Sequence, residues 1–186
     1  MKNKVKNGKN IAFIPKVIII VLVAAVAVFT ITLLIKSHFV SLVKISGSGM
    51  EPTIQQGETW LIDKRAEDFG RGSIVTYYTG EDGRNSAVSR VIAVAGDSVY
   101  IDFITGNVYV NGEVLDEPYI KEKTFSNGRY IAGLLEQGKY SMAEPVRIEE
   151  GHVFVMGDNR NNSRDSREFG PVSESSVYGL VVKKIK

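Results

Sequence analysis

At 186 residues the chain has room for one ordinary domain and little more, and its composition, 44% hydrophobic and 24% charged, is globular rather than disordered or collagen-like. Its net charge of +2 comes from basic residues concentrated at the two ends and not along one stripe, which argues against a nucleic-acid partner. The absence of cysteine excludes a disulfide framework, a thiolate metal site, a cysteine nucleophile and a lipid-modified N-terminal cysteine, and it suits an oxidising, chaperone-poor exterior.

From Val17 to Ile35 every residue is apolar except Thr30 and Thr32. As a helix this run spans about 28 Å, close to the hydrocarbon thickness of a bilayer, so a transmembrane helix is expected over 17–35. Lys2, Lys4, Lys6, Lys9 and Lys16 precede it and only Lys36 follows closely. That bias keeps residues 1–16 in the cytoplasm as a basic tail and exports residues 36–186, giving a single-pass cell-membrane protein. The rival is a cleavable signal peptide, but the run exceeds a typical apolar core of one and no small-x-small cleavage site follows directly. A buried core helix fits less well still, because the segment is apolar on all faces and charged at both ends.

Beyond Val40 short β-branched and aromatic runs predict strands at Thr59–Ile62, Ser73–Tyr78, Val88–Ala95, Ser98–Ile101, Asn107–Val110, His152–Met156 and Val177–Lys183. Turn signals separate them at Gln56-Gly57, Gly70-Arg71-Gly72, Asp82-Gly83, Gly96-Asp97, Thr105-Gly106-Asn107 and Asn111-Gly112. The clearest hairpin joins Asn107–Val110 to Glu113–Leu115 through Asn111-Gly112, the residues a type I′ turn demands. No stretch beyond the anchor has a strong helical period, with room for a helical turn at Leu134–Gly138 and at Ser173–Ser176. Residues Pro118 to Pro145 lack a period and read as a long loop or an insert on the sheet. The expected fold is all-β.

Three stretches carry more special residues than a plain β domain needs: Ile45 to Thr53, Ser89 to Asp97, and Gly157 to Gly170. The last, with Asp158, Asn159, Arg160, Ser163, Asp165, Ser166 and Arg167, is the densest. Loops so rich in Asn, Asp, Ser and Arg bond their own backbone and brace one another, which suits a buttressed site and equally a well-tied surface loop.

In this order the three stretches resemble the type I signal peptidases, membrane-anchored serine proteases that cut signal peptides from exported proteins. The resemblance rests on the apolar anchor, on Gly47-x-x-Met50-x-Pro52-Thr53, on Arg71-Gly72-Ser73-Ile74-Val75, on Arg90 to Asp97, and on Gly157 to Gly170. It implies packed antiparallel sheets with a small β insert, here about residues 98–148. It also implies a Ser–Lys dyad, in which an unprotonated lysine serves a nucleophilic serine as general base. The family's serine immediately precedes the methionine of the first motif, where this chain has Gly49. The family's lysine immediately precedes the arginine of the second, where this chain has Ser89. Glycine has nothing to attack with, and a serine hydroxyl does not accept a proton at neutral pH as an amine does.

Ser48 is the stand-in nucleophile to weigh. In an extended segment a one-residue step turns its side chain to the opposite face, although a bulge at Gly49 would re-aim it. No lysine lies in Ala87–Ile92, and His38 and His152 read as an interfacial residue and a solvated strand end. What the resemblance leaves in place is the frame: Gly47, near the family's oxyanion donors, and Ser163, Asp165 and Arg167, which in relatives brace the lysine. Here Ser163 is expected to face Ser89, and Asp165 with Arg167 to form a structural ion pair.

The leading reading is a non-catalytic relative that keeps a cleft for extended peptides, with strands near Ile45, Ser46 and Ser48 and at Ser86, Ala87 and Val88 pairing with an exported precursor or surface protein. Family members without the dyad include pilus-assembly factors of Gram-positive bacteria, which makes a pilin one candidate client and an active signal peptidase a candidate partner. The rival readings are a working signal peptidase that uses Ser48, and a structural subunit whose cleft is filled. With no metal cluster or phosphate loop in the sequence, no cofactor is expected.

Overall fold

A computed structural model describes residues 13–66, 68–80, 85–124 and 144–186. The expected basic tail, apart from its last residues, and the expected turns at Asp82-Gly83 and Leu134–Gly138 lie outside them. The chain divides into two units, a helix ending at Phe39 and a β domain from Val40 to Lys186.

The helix, α1, runs over Phe13–Phe39, longer at both ends than the apolar run alone predicts. Its described side chains, Lys16 to Thr32 and Phe39, are exposed. The hydroxyls of Thr30 and Thr32 donate to the carbonyls of Val26 and Val28, each at 2.8 Å, so the only polar side chains in the apolar run are satisfied within the helix. Among the described residues no helix is long and apolar enough to cross a membrane.

The β domain is built from antiparallel pairs. Its strands are β1 (Val40–Lys44), β2 (Thr59–Asp63), β3 (Ile74–Thr79), β4 (Asn85–Ala93), β5 (Ser98–Asp102), β6 (Asn107–Val110), β7 (Glu113–Val114), β8 (Val146–Arg147), β9 (His152–Met156), β10 (Val172–Ser173) and β11 (Val177–Lys184). A seven-stranded sheet has the order β1-β2-β11-β3-β4-β9-β10, and a four-stranded sheet the order β7-β6-β5-β8. The expected all-β class holds for this domain; its described residues also include a short helix, α2 (Ser166–Phe169), and 3-10 turns at Arg160–Asn162 and Glu174–Ser176.

Two differences from expectation matter later. Ile45 to Ser48, expected near a strand, is irregular after β1 ends at Lys44, because Ile45 spends its backbone groups on Glu58 and Gly57 and the chain then turns at Ser48. In the other direction, β4 begins at Asn85 and not at Val88, since its polar first residues pair with β3 from Thr79↔Asn85 onward.

The alternation of β4 sets the core. Val91 joins Val75, Tyr77, Val153 and Val155 on one face of the large sheet, with Ala87 packed against them. Ile92 and Ala93 join Phe154, Met156 and the inward residues of the small sheet, Val99, Ile101, Val108 and Val110. A third cluster, Ile45, Met50 and Ile54, takes Val43, Trp60 and Val88 against it. The small sheet holds its register through the β6–β7 turn, where Asn111 and Gly112 have φ of 55° and 84°, the two left-handed residues of a type I′ turn.

Where β4 passes into β5, Asp97 is buried and tied to three partners. Arg71 forks onto it, with Nε at 2.7 Å from Oδ2, and the Val94 N–H and the Asn111 amide each donate at 2.9 Å. Burial works to raise this carboxyl, and the bonds from Arg71, Val94 and Asn111 outweigh it and hold it down to about 2. Because the folded value lies below the unfolded one of about 3.9, the contribution is complete above that value and is lost as pH falls toward 2. Asp97→Asn is expected to flatten that part of the stability profile between about pH 4 and pH 2, read from urea midpoints. An unchanged slope would show that Asp97 does not titrate there.

Candidate functional site

The three motif stretches converge on one place, and the bonds between them show how. Asp158, fully buried at the end of β9, receives Arg90 as a fork, Nε to Oδ1 at 2.9 Å and Nη2 to Oδ2 at 2.6 Å, and also accepts from the Thr53 hydroxyl. Arg90 in turn donates to the Gly72 carbonyl at 3.0 Å and lies 4.0 Å above the ring of Tyr119. Asn159 completes the seam, its N–H on the Gly49 carbonyl and its amide on the Ser48 carbonyl, each at 3.0 Å. Ser48 to Gly49 is thus held by main-chain acceptors, and the turn that follows carries buried Met50 and a cis Glu51–Pro52 bond.

The loop from Gly157 to Asp165 is braced from within. Arg160, fully buried, donates to the Gly157 carbonyl at 3.0 Å and pairs with Glu117. Asp165 accepts from Arg167 Nε at 2.8 Å and Nη2 at 2.7 Å, from the Gly157 N–H at 2.8 Å, and from the Ser163 hydroxyl. Burial works to raise this carboxyl, but the charge and bonds of Arg167, helped by Gly157 and Ser163, outweigh it and leave Asp165 below its ordinary value and ionised. Ser166 adds a bond from the Val155 N–H to its hydroxyl at 2.9 Å, fixing α2 to β9.

Gly157 is packed too tightly to be anything else. A Cβ there would lie 2.1 Å from the Ser163 hydroxyl and 2.5 Å from the Gly49 carbonyl. At Gly49 the opposite holds: a Cβ would sit 3.4 Å from the Ser163 hydroxyl, an ordinary contact. A side chain at position 49 therefore has room and would point at Ser163.

Ser89 is buried and its hydroxyl lies 3.1 Å from that of Tyr77, which replaces the expected pairing with Ser163. Ser163 instead divides itself between Asp165 and the space beside Gly49. Burial pushes the Tyr77 phenol far above its ordinary value, against the bond from Ser89 and with a smaller push from the Asp165 charge. Tyr77 and Ser89 are thus two neutral hydroxyls, and neither is a base near neutral pH.

Gly49 and Ser163 line a groove of ~420 Å³ bounded by Val43 to Met50 on one side, by Ser86, Ala87 and Val88 on another, and by Asn162, Ser163 and Arg164 on a third. Gly47, Ser48 and Gly49 sit in its wall, and the Ser48 hydroxyl, half-buried, accepts from the Asn162 amide at 2.8 Å. Lys44 also lines the groove, with an exposed side chain. His152 is elsewhere, against the Glu150 carbonyl at the start of β9, and the side chain of His38 lies outside those described. No cluster of metal-ligating side chains occurs among the described residues.

One property of the groove comes from sheet topology. β4 pairs with β3 from Asn85 to Arg90, but its pairing with β9 begins only at Arg90↔Met156. Among the described residues, Ser86 to Val88 therefore have no strand on the side away from β3, and that edge looks into the groove. Residue types did not reveal the parts played by Tyr77, Tyr119, Asn162 and Lys44, because each depends on strand register or on contacts across the sheet. The dense third motif was the available signal for Asn162.

Comparison with known proteins agrees with the motifs. A family described as signal peptidase, peptidase S26, matches residues 15–185. The chain is 34% identical over 167 residues to signal peptidase I U of Bacillus subtilis, covering 88% of this chain and 82% of that protein. It is 31% identical over 166 residues to signal peptidase IB of Staphylococcus aureus, covering 86% and 85%. A crystal structure of a signal peptidase I from Enterococcus faecalis aligns with a TM-score of 0.43 at 25% identity, over 61% of this chain and 96% of that one. With a match that takes in nearly the whole chain, including all three motif stretches, this protein belongs to the signal peptidase family, peptidase S26.

Proposed function

We propose that the protein is a membrane-anchored member of the family that binds extended segments of exported proteins in this groove and does not cut them. The observation that carries the reading is an open groove beside Gly49, with Ser89 buried against Tyr77. Gly49 presents no atom toward Ser163, and Ser89 is engaged with a protonated phenol. The resemblance assigns the nucleophile and the base to these two positions, so the substitutions remove both halves of the reaction while leaving the supports of Asp158, Asp165 and Arg167 intact.

The unpaired edge at Ser86 to Val88 supports the mode of binding. A client strand laid along it gains main-chain hydrogen bonds, and small side chains fit between Val43, Ile45 and Val88. The exposed apolar surface of α1 supports anchoring in a bilayer, with residues 1–16 cytoplasmic and the β domain outside. Surface-protein or pilus assembly, alongside an active signal peptidase, is the sharper form of the role.

The test uses the full chain in detergent with a labelled signal-peptide substrate, following cleavage and binding separately. The expected result is binding without turnover, and turnover appearing only in a Gly49→Ser/Ser89→Lys double variant. Cleavage by the unaltered protein that disappears in Ser48→Ala would overturn the proposal and establish an enzyme working from Ser48. Lys44→Met would then show whether the exposed lysine on the groove wall serves it.

A further inference from the structure

A second hollow lies on the other face of the same strand. It has a volume of ~510 Å³ and is walled by Tyr77, Tyr78, Phe169, Pro171 and Val172 around the first residues of β4. The two hollows share only Ala87 and Arg164. Strand alternation accounts for Asn85 lining the second hollow and Ser86 and Val88 the first. Asn85 and Ala87, across from Thr79 and Tyr77 of β3, line the second hollow together with Phe169, whereas Val88 packs against Ile45 and Met50. Tyr77 and Phe169, with ring centroids 6.4 Å apart, form the aromatic wall. Ala87 is the residue of β4 that lines both hollows.

We infer that a bound client fills both, placing small side chains in the first groove and one bulky aromatic or apolar side chain, at an odd offset from them, in the second. This rests on the proposed binding along the open edge of β4 and goes beyond it in naming what the client carries. A strand added to that edge turns alternate residues to opposite faces. Residues at i and i+2 enter the groove beside Val88, and those at i+1, i+3 or i−1 face the Tyr77–Phe169 wall. Continuity of one strand edge past Ala87 commits both hollows to the same occupant, and a rim of rings suits an aromatic side chain.

The test measures fluorescence anisotropy of labelled Ala-x-Ala peptides with the full chain in detergent, with serine elsewhere and one Phe moved through successive positions. Phe at odd offsets from the alanines is expected to tighten binding about tenfold, and Phe at even offsets to leave it unchanged or weaken it. Asn85→Trp, which fills the mouth of the second hollow, and Phe169→Ala, which removes its wall, are expected to abolish that gain while the Phe-free peptide binds as before. Val88→Trp, which fills the first groove, is expected to abolish binding of every peptide. A gain without alternation, or one that survives both second-hollow variants, overturns the inference and leaves the client-binding reading standing. Failure of every peptide to bind the unaltered protein sinks that reading and the inference together.

Discussion

Gly157→Ala is expected to destabilise the β domain by about 3 kcal/mol, an overpacking effect at the upper end of the usual range. The added methyl would lie 2.5 Å from the Gly49 carbonyl, which is backbone and cannot swing aside, and 2.1 Å from the Ser163 hydroxyl. Relief requires the Ser48–Gly49 turn to separate from the Gly157 loop, which breaks the bond of the Asn159 N–H to Gly49. Gly47→Ala is the matched control. A Cβ there meets nothing within 4 Å, so its effect on stability should stay within about 0.5 kcal/mol. Thermal unfolding of the two variants in the same detergent checks the pair, and equal midpoints would show that the contact at Gly157 yields at little cost.

The second large effect belongs to Asp165. Its carboxylate and Arg167 are both buried, so Asp165→Ala leaves a guanidinium in the interior without its counter-charge, at an expected cost of about 3–5 kcal/mol. Removing both charges in Asp165→Leu/Arg167→Met should recover much of that loss, because an apolar pair needs no desolvation to be offset. The pH dependence has a definite sign. Asp165 sits below its ordinary value in the folded protein, so the unfolded chain takes up its proton first and stability declines as pH falls below about 4. A Asp165→Asn variant should lose that part of the acid slope. Its persistence in a double variant with Asp97→Asn would assign the slope to other carboxylates.

How far these features were legible in the sequence depends on how local their causes are. The β5–β6–β7 meander could be read directly, because Asn111-Gly112 and the period-two apolar residues around it specify their own geometry. β8 and β10 could not, since each has two residues and exists only through its neighbour, β5 and β9 respectively. β1 was hidden for another reason: Val40 to Lys44 continues the apolar character of the helix before it, and only pairing with β2 makes it a strand. At the site, the residue types of the third motif announced a braced loop. Which side chain braces which was not legible, because the Arg90–Asp158 fork spans 68 residues and the Tyr77–Ser89 contact follows from the β3–β4 register. That Gly49 and Ser89 stand where the resemblance puts a nucleophile and a base could be read only through the resemblance, since neither residue type announces such a place by itself.

Among the described residues the first half of β4 has a partner strand on one side only, which bears on self-association. A row of free amides and carbonyls will accept any extended chain, including the equivalent strand of a second copy, and proteins that display such rows risk sticking to themselves. Here the row is recessed, and Arg164, 74% exposed in its side chain and held by Glu168 at 2.7 Å, stands beside it with a charge. A flexible single chain can bend around that guanidinium, whereas a rigid sheet edge approaching broadside would have to strip its water. A charge at that place works against edge-to-edge pairing of folded copies.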